Sequence, residues 1–183
     1  MHSYKTFLQL AEARQSCRAY DPNRAVEPGI LRRIVEAARL APSACNSQPW
    51  HLVVVTDAAK RKEVASALKS MGMNGFVDNA TAFIVIVQES PNFTARLGGW
   101  IRNKHFPLID CGVVASHIIL AATDMGVGSC VLGWFDESAL RKSLGVPRGK
   151  RILLAVALGY ATDEPRLHSR KSIEEMSSEN AYK

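Results

Sequence analysis

Ile109-Asp110-Cys111-Gly112-Val113-Val114-Ala115-Ser116-His117-Ile118-Ile119-Leu120-Ala121-Ala122-Thr123-Asp124-Met125 is apolar on nearly every side once wound at 3.6 residues per turn. Gly112, Ala115, Ser116, Ala121 and Ala122 spread small side chains along it. A helix of this composition is buried all round, which in a chain of 183 residues places it in the subunit core and also at the centre of an oligomer. Gly126 and Gly128 end it. Downstream, Val131-Leu132 starts a strand, Asp136 caps a short helix to Leu144, Gly145 and Pro147 break that helix, and residues 152–158 form another strand. Upstream, Phe83-Ile84-Val85-Ile86-Val87 is a buried strand. The 21 residues 88–108 between strand and helix are too many for an ordinary connection, so they hold short helical pieces or a functional flap.

Further upstream, Thr56 or Asp57 caps a helix running to Leu68, and Leu52-Val53-Val54-Val55 is a core strand preceded by a polar loop, residues 43–49. Pro28 suits the first turn of a helix whose stripe is Ile30, Leu31, Ile34, Val35 and Ala38, stopped by Ala41-Pro42. Tyr4, Phe7, Leu8 and Ala11 mark a first helix ending before Arg14. Helix, helix, strand, helix, strand, helix, strand, helix, strand fits a mixed sheet with helices around it, class α+β or α/β. With no repeat and no composition shift, residues 1–183 read as one domain. The polar tail, 161–183, has no core pattern and is frayed or laid on a partner.

Hydrophobic residues make up 47% of the chain and charged ones 22%, enough for a packed core that removes roughly 70% of the unfolded surface from water. Uninterrupted apolar runs fall short of a spanning helix, so no membrane partner is expected. Met1-His2-Ser3-Tyr4-Lys5 leads into no apolar h-region, which favours a cytoplasmic location. The net charge of 23 − 17 = +6 is scattered among Arg32, Arg33, Lys60, Arg61, Glu36 and Glu63. That pattern reads as solvated helix faces, and without a recognised module no nucleic-acid partner is expected. Cys17, Cys45, Cys111 and Cys130 stand 28, 66 and 19 apart with no C-x-x-C pair, as free thiols do.

Two segments carry chemistry. In Arg14-Gln15-Ser16-Cys17-Arg18 two guanidiniums and a hydroxyl recur at a spacing of two, so an extended backbone points all three to one face, suited to a phosphate. A solvent-exposed turn is the plainer alternative. Ala41-Pro42-Ser43-Ala44-Cys45-Asn46-Ser47-Gln48-Pro49-Trp50 is dense in amides and hydroxyls that could read the edge of a flat heterocycle, or it is an ordinary polar connection.

Arg14 to Tyr20 (R-x-S-x-R-x-Y), followed by Ala38 to Trp50 (A-R-L-A-P-S-A-x-N-S-Q-P-W), resembles the nitroreductase family of FMN-dependent oxidoreductases. Asp110 to Gly128 is similar to that family's long central helix, Val131-Leu132-Gly133-Trp134-Phe135 to the strand beside its flavin, and Leu158-Gly159-Tyr160 with Arg170-Lys171 to its closing strand and basic tail. The resemblance implies an intertwined homodimer with a mixed sheet, two FMN molecules at the subunit interface and a C-terminal extension embracing the partner. It implies that Arg14 and Ser16 hold the FMN phosphate, with Arg170 and Lys171 closing on it, and that Arg18 lies beside the ribityl chain and the N1/O2 edge. It further implies that Pro42, Ser43, Ala44 and Asn46 reach across from the other subunit with Gln48 supporting the loop, and that backbone groups of Leu132, Gly133 and Trp134 face the N5/O4 side.

The activity implied is hydride transfer from NADH or NADPH through flavin N5 to a nitroaromatic or quinone in a ping-pong cycle, with no catalytic side chain beyond the flavin. Alternatives are a reductase of free flavin, an enone or a halogenated aromatic, and a flavin store or sensor without turnover. The chain departs from longer members at Met73-Asn74-Gly75-Phe76-Val77, where Asn74 alone could contact the ring. Residues 91–107, with Trp100 and Phe106, either roof the substrate site or pack on the dimer surface. His51 and His117 read as structural histidines, and Cys45 as a small filler or a redox-sensing thiol. Gly126-Val127-Gly128 lacks the rest of a dinucleotide fingerprint.

Overall fold

Strand Ala82–Gln88 is buried at every residue but the last, and the rest of the molecule is arranged on its two faces. The structure is a computed structural model that describes residues 6–102, 104–166 and 168–182, so Tyr4, expected in the first helix, lies outside the described residues. In chain order the elements are α1 (Phe7–Ala13), α2 (Pro28–Arg39), β1 (Trp50–Val55), α3 (Ala58–Leu68), β2 (Ala82–Gln88), α4 (Phe93–Arg102), α5 (Phe106–Asp124), β3 (Gly128–Leu132), α6 (Glu137–Leu144), β4 (Arg151–Gly159) and α7 (Ile173–Met176).

The sheet order is β1-β2-β4-β3. Every pair of named strands is antiparallel, with Val53 opposite Val85, Val85 opposite Ala155 and Cys130 opposite Ala157. Alternation along β2 and β4 divides the core. Phe83, Val85, Ala155 and Ala157 face Val64 and Leu68 of α3 and Leu140 of α6. Ile84, Ile86, Val156 and Leu158 face Leu31 and Ile34 of α2 and Val114 and Ile118 of α5. The class is α+β. The parallel component of the expected mixed sheet is a single bridge between Ser16 and Ser129, because the segment after α1 runs alongside β3 only briefly.

Three features differ from the periodic reading. α4 supplies the helix expected within the long connection, and α5 starts at Phe106 with Pro107 in its first turn. β3 starts at Gly128, where a helix end was expected, and is finished at Leu132, where a strand was expected to be starting. At Gly128 a Cβ would sit 2.9 Å from Cys17 Sγ and 3.1 Å from Gly159 O, so close backbone approach replaces the usual β-branched signature.

The third difference concerns α5. Its 19 residues are long and apolar enough that by length and composition alone it resembles a spanning helix. Within the chain one side is buried, through Cys111, Val114, Ala115, Ile118 and Ala122. The other side, with Val113, Ser116, His117 and Leu120, opens with Phe7 of α1 onto a shallow groove of about 480 Å³. All-round burial is thus not met within one subunit.

Gly159 meets the Tyr20 ring, where a Cβ would lie 2.8 Å from Cδ1 and 3.2 Å from Cγ. Tyr20 cannot retreat, since it is buried and its hydroxyl donates to Cys17 O at 2.9 Å, with Ala157 O at 3.3 Å. Gly159→Ala is expected to cost about 1–3 kcal/mol by overpacking. A lower urea midpoint at unchanged slope would show it, and a wild-type midpoint would refute it.

Candidate active site

Arg14 caps α1 with extended dihedrals (φ −65°, ψ 120°) and donates its backbone N–H to Leu10 O. The chain then runs beside β3, where Cys17 N donates to Ser129 O at 2.9 Å. Burial raises the Cys130 thiol pKa, and against it act the charge of Arg18, the Ser16 hydroxyl and the charge of Arg14. The segment carrying the three side chains singled out by their spacing thus runs beside β3, bridged to it at Ser16 and Ser129, and all three groups act on the Cys130 thiol. Among the described residues neither Arg14 nor Arg18 has an ion-pair partner; Arg18 lies over the Phe76 ring at 6.0 Å from its centroid. Two uncompensated guanidiniums beside a hydroxyl form a ready acceptor for a dianion.

At the exit of β3, Leu132 is buried while Gly133 and Trp134 are exposed. Asn74, in the left-handed region at φ 62°, donates its amide to Leu68 O at 3.0 Å and to Trp134 O at 3.1 Å. Both amide protons are thus engaged with main chain, so Asn74 fixes the turn after β3 and has none left to donate to a ligand.

The loop from Pro42 to Gln48 is held in a strained form. Cys45, Asn46 and Gln48 have φ of 51°, 49° and 46°, each costing roughly 1–2 kcal/mol for a non-glycine residue. Ser43 Oγ accepts from Gln48 N at 2.8 Å, and the Gln48 amide donates to Asn46 O and Oδ1, both at 3.2 Å. Two residues not singled out by the sequence hold the loop from outside. Asp110 Oδ1 accepts from Ala44 N at 3.1 Å, and Asn92 donates to Cys45 O at 3.0 Å and, through its backbone, to Ser47 Oγ at 2.7 Å. Asp110 is buried and its Oδ2 has no partner among the described residues. A carboxylate at the head of an otherwise apolar helix is the one signal that could have flagged it.

The sequence profile of the Nitroreductase family matches residues 11–75 and 68–160. The chain belongs to the nitroreductase family. An Archaeoglobus fulgidus protein, provisionally named an NADH dehydrogenase/NAD(P)H nitroreductase, is 34% identical over 161 residues, covering 86% of each chain. The oxygen-insensitive NADPH nitroreductase of Helicobacter pylori strain 26695 is 29% identical over 196 residues, covering 90% of this chain and 91% of its own. Among solved structures, an FMN-dependent nitroreductase from Clostridium difficile R20291 superposes with a TM-score of 0.76 at 25% identity, covering 94% of this chain and 98% of that one.

In this nitroreductase-family chain the expected site residues fall into separate groups. Arg14, Ser16 and Arg18 belong to the segment that runs beside β3, and Trp134 at the exit of that strand is tied to Asn74. The Pro42–Gln48 loop is joined to that group by no hydrogen bond, ion pair or ring contact among the described residues. Arg170 and Lys171 are exposed, with Arg170 donating to Ser169 O at 2.9 Å. The tail nevertheless passes the first group, since Arg166 N donates to Gln15 Oε1 at 3.0 Å. Phe106 is half-buried against Gly99, whereas Trp100 is 80% exposed. His51 is exposed, and His117 Nδ1 lies 3.0 Å from Val113 O.

Of the four cysteines of this nitroreductase-family chain, only Cys45 is exposed. Burial, and then the Asp110 charge, push the Cys111 thiol up to about 11, and burial raises Cys17, Cys130 and the Tyr20 hydroxyl in the same direction. These acids ionise first in the unfolded chain, so stability is expected to fall as pH rises from about 9 through about 11. Urea midpoints in that window check this, and a flat profile would contradict it. An aromatic disulfide reagent at neutral pH is expected to modify Cys45 quickly and the other three only on unfolding.

Proposed function

We propose that this chain is an FMN-dependent oxidoreductase that takes hydride from NADH or NADPH and delivers it to an electron-poor small molecule such as a nitroaromatic or quinone. One observation carries the reading: Arg14 and Arg18, free of carboxylates among the described residues, stand two positions either side of Ser16 in the segment bridged to β3, and all three act on Cys130. That donor set fits a phosphate monoester dianion. When bound, FMN supplies the two-electron hydride chemistry. Arg14 and Ser16 bind its phosphate, and Arg170 with Lys171 closes over it from the tail. Arg18 places a positive charge toward the N1/O2 edge, where it stabilises the negative charge of the reduced ring. The backbone of Leu132, Gly133 and Trp134, steadied by Asn74, orients the opposite edge.

Pro42, Ser43, Ala44 and Asn46, braced by Gln48, complete the site from a second copy of the chain. Two features support the homodimer: the loop's separation from the Arg14 group and the half-open apolar side of α5. Residues 161–183 pack on that second copy, and 1–183 act as one domain.

The test is the visible spectrum of the purified protein, recorded anaerobically before and after one equivalent of NADH or NADPH. A yellow protein that bleaches, and recovers its colour with a quinone or nitroaromatic, is expected. Failure to take up FMN would overturn the reading, and colour unchanged by either nucleotide would indicate a flavin store.

A further inference from the structure

A pocket of about 450 Å³ opens beneath α4, between that helix, the head of α5 and the ends of β2 and β4. Arg96, Lys104, His105 and Arg151 line it, and Trp100 and Leu153 supply apolar wall. Its charge is unbalanced. Arg151 is paired with Glu137, and the neighbouring Glu89 is already paired with Lys150. Among the described residues Arg96, Lys104 and His105 have no carboxylate partner. Lys104 is held in place by its backbone: its N–H donates to Gly99 O at 2.9 Å, and a Cβ on Gly99 would lie 2.8 Å from Lys104 O.

The pocket adjoins the candidate site. Asn92 Oδ1 accepts from Ala95 N at 2.9 Å at the head of α4 while its amide and backbone grip the loop at Cys45 and Ser47. On the strand side, Glu89 N donates to Pro49 O at 3.0 Å. A ligand under α4 therefore lies against elements bonded directly to that loop. We propose that this pocket binds a flat aromatic ring carrying an anionic group, with the ring against Trp100 and the anion between Arg96 and Lys104. Cationic side chains beside an exposed indole favour such a ligand over its neutral analogue. Two sources share this chemistry: the phosphate-bearing adenosine of NADPH, and a carboxylate-bearing aromatic acceptor. The choice between these sources rests on the oxidoreductase reading; the pocket's preference for an anion does not.

The test is calorimetric titration of the FMN-loaded protein with adenosine 2′-monophosphate against adenosine, and with 4-nitrobenzoate against 4-nitrobenzamide. At least one anion is expected to bind about tenfold or more tightly than its neutral analogue. Arg96→Ala combined with Lys104→Ala should reduce that ratio to within about twofold, with the FMN absorbance of the variant reporting an intact fold. Preference for the phosphate identifies the donor as the source, and preference for the carboxylate the acceptor. No preference in either pair, or one that survives the double substitution, would overturn the proposal. Bleaching by NAD(P)H on the same sample separates the two claims. A protein that bleaches without anion preference loses only the pocket, and one that prefers an anion without bleaching loses only the enzyme reading.

Discussion

Replacing Arg14 by alanine is expected to weaken FMN retention by roughly 10- to 100-fold, the loss of a charge-assisted contact worth about 1.5–3 kcal/mol. The fold should tolerate the change within about 0.5 kcal/mol, because the helix cap at this position is a backbone N–H and the side chain enters no ion pair among the described residues. Flavin-to-protein absorbance after dialysis, read beside a urea midpoint, separates the two effects. Wild-type occupancy would remove Arg14 from the phosphate site. Arg18→Ala should act differently, lowering the reduction potential of bound FMN more than its occupancy. An unchanged potential would leave Arg18 without an electronic role.

The second large effect is expected at Asp110, a residue remote in sequence from the loop it holds. Asp110→Ala removes the acceptor for Ala44 N, releasing a loop in which three residues sit in the left-handed region. Amide exchange at Ala44 and its loop neighbours should accelerate by about 10- to 100-fold, matching the loss of a bond to a charged group. Global stability should fall less than this local measure. The Asp110 Oδ2 is buried without a partner among the described residues, and removing it relieves a desolvation cost. Asp110→Asn, which keeps an acceptor oxygen, should restore most of the protection. Unchanged exchange in the alanine variant would show that Ser43 and Asn92 suffice.

Local rules were enough for much of this molecule. Pro28 and the stripe through Ile34 and Ala38 mark α2, and Asp136 and Gly145 bracket α6, where a side chain accepts from Ala139 N and a glycine adopts φ 66°. The run from Arg14 to Arg18 was likewise legible as an extended segment, which the structure bridges to β3 at Ser16 and Ser129. What escaped the sequence depends on distant partners. Gly128-Ser129-Cys130 has no strand composition and is shaped by Cys17 and Gly159. The loop conformation is imposed by Asp110 and Asn92, 66 and 47 positions from their partners. Apolar composition along α5 could not say which burial comes from the chain's own core, since helix periodicity is silent on what covers each side. Asn74 read as a ring contact because composition does not reveal that its amide is already engaged.

The order β1-β2-β4-β3 also has a consequence for biosynthesis. The strand made last, Arg151–Gly159, occupies an interior position, so a nascent chain that has released β2 keeps one of its edges unpaired until nearly the whole sheet has been translated. During that interval Phe83-Ile84-Val85-Ile86-Val87 is an apolar, β-prone segment without a neighbour on that side. Ribosome stalling or premature termination before residue 151 would leave the sheet unclosed, whereas termination after Tyr160 would spare all four strands. Passage through synthesis thus depends on how promptly β4 follows β2 out of the ribosome.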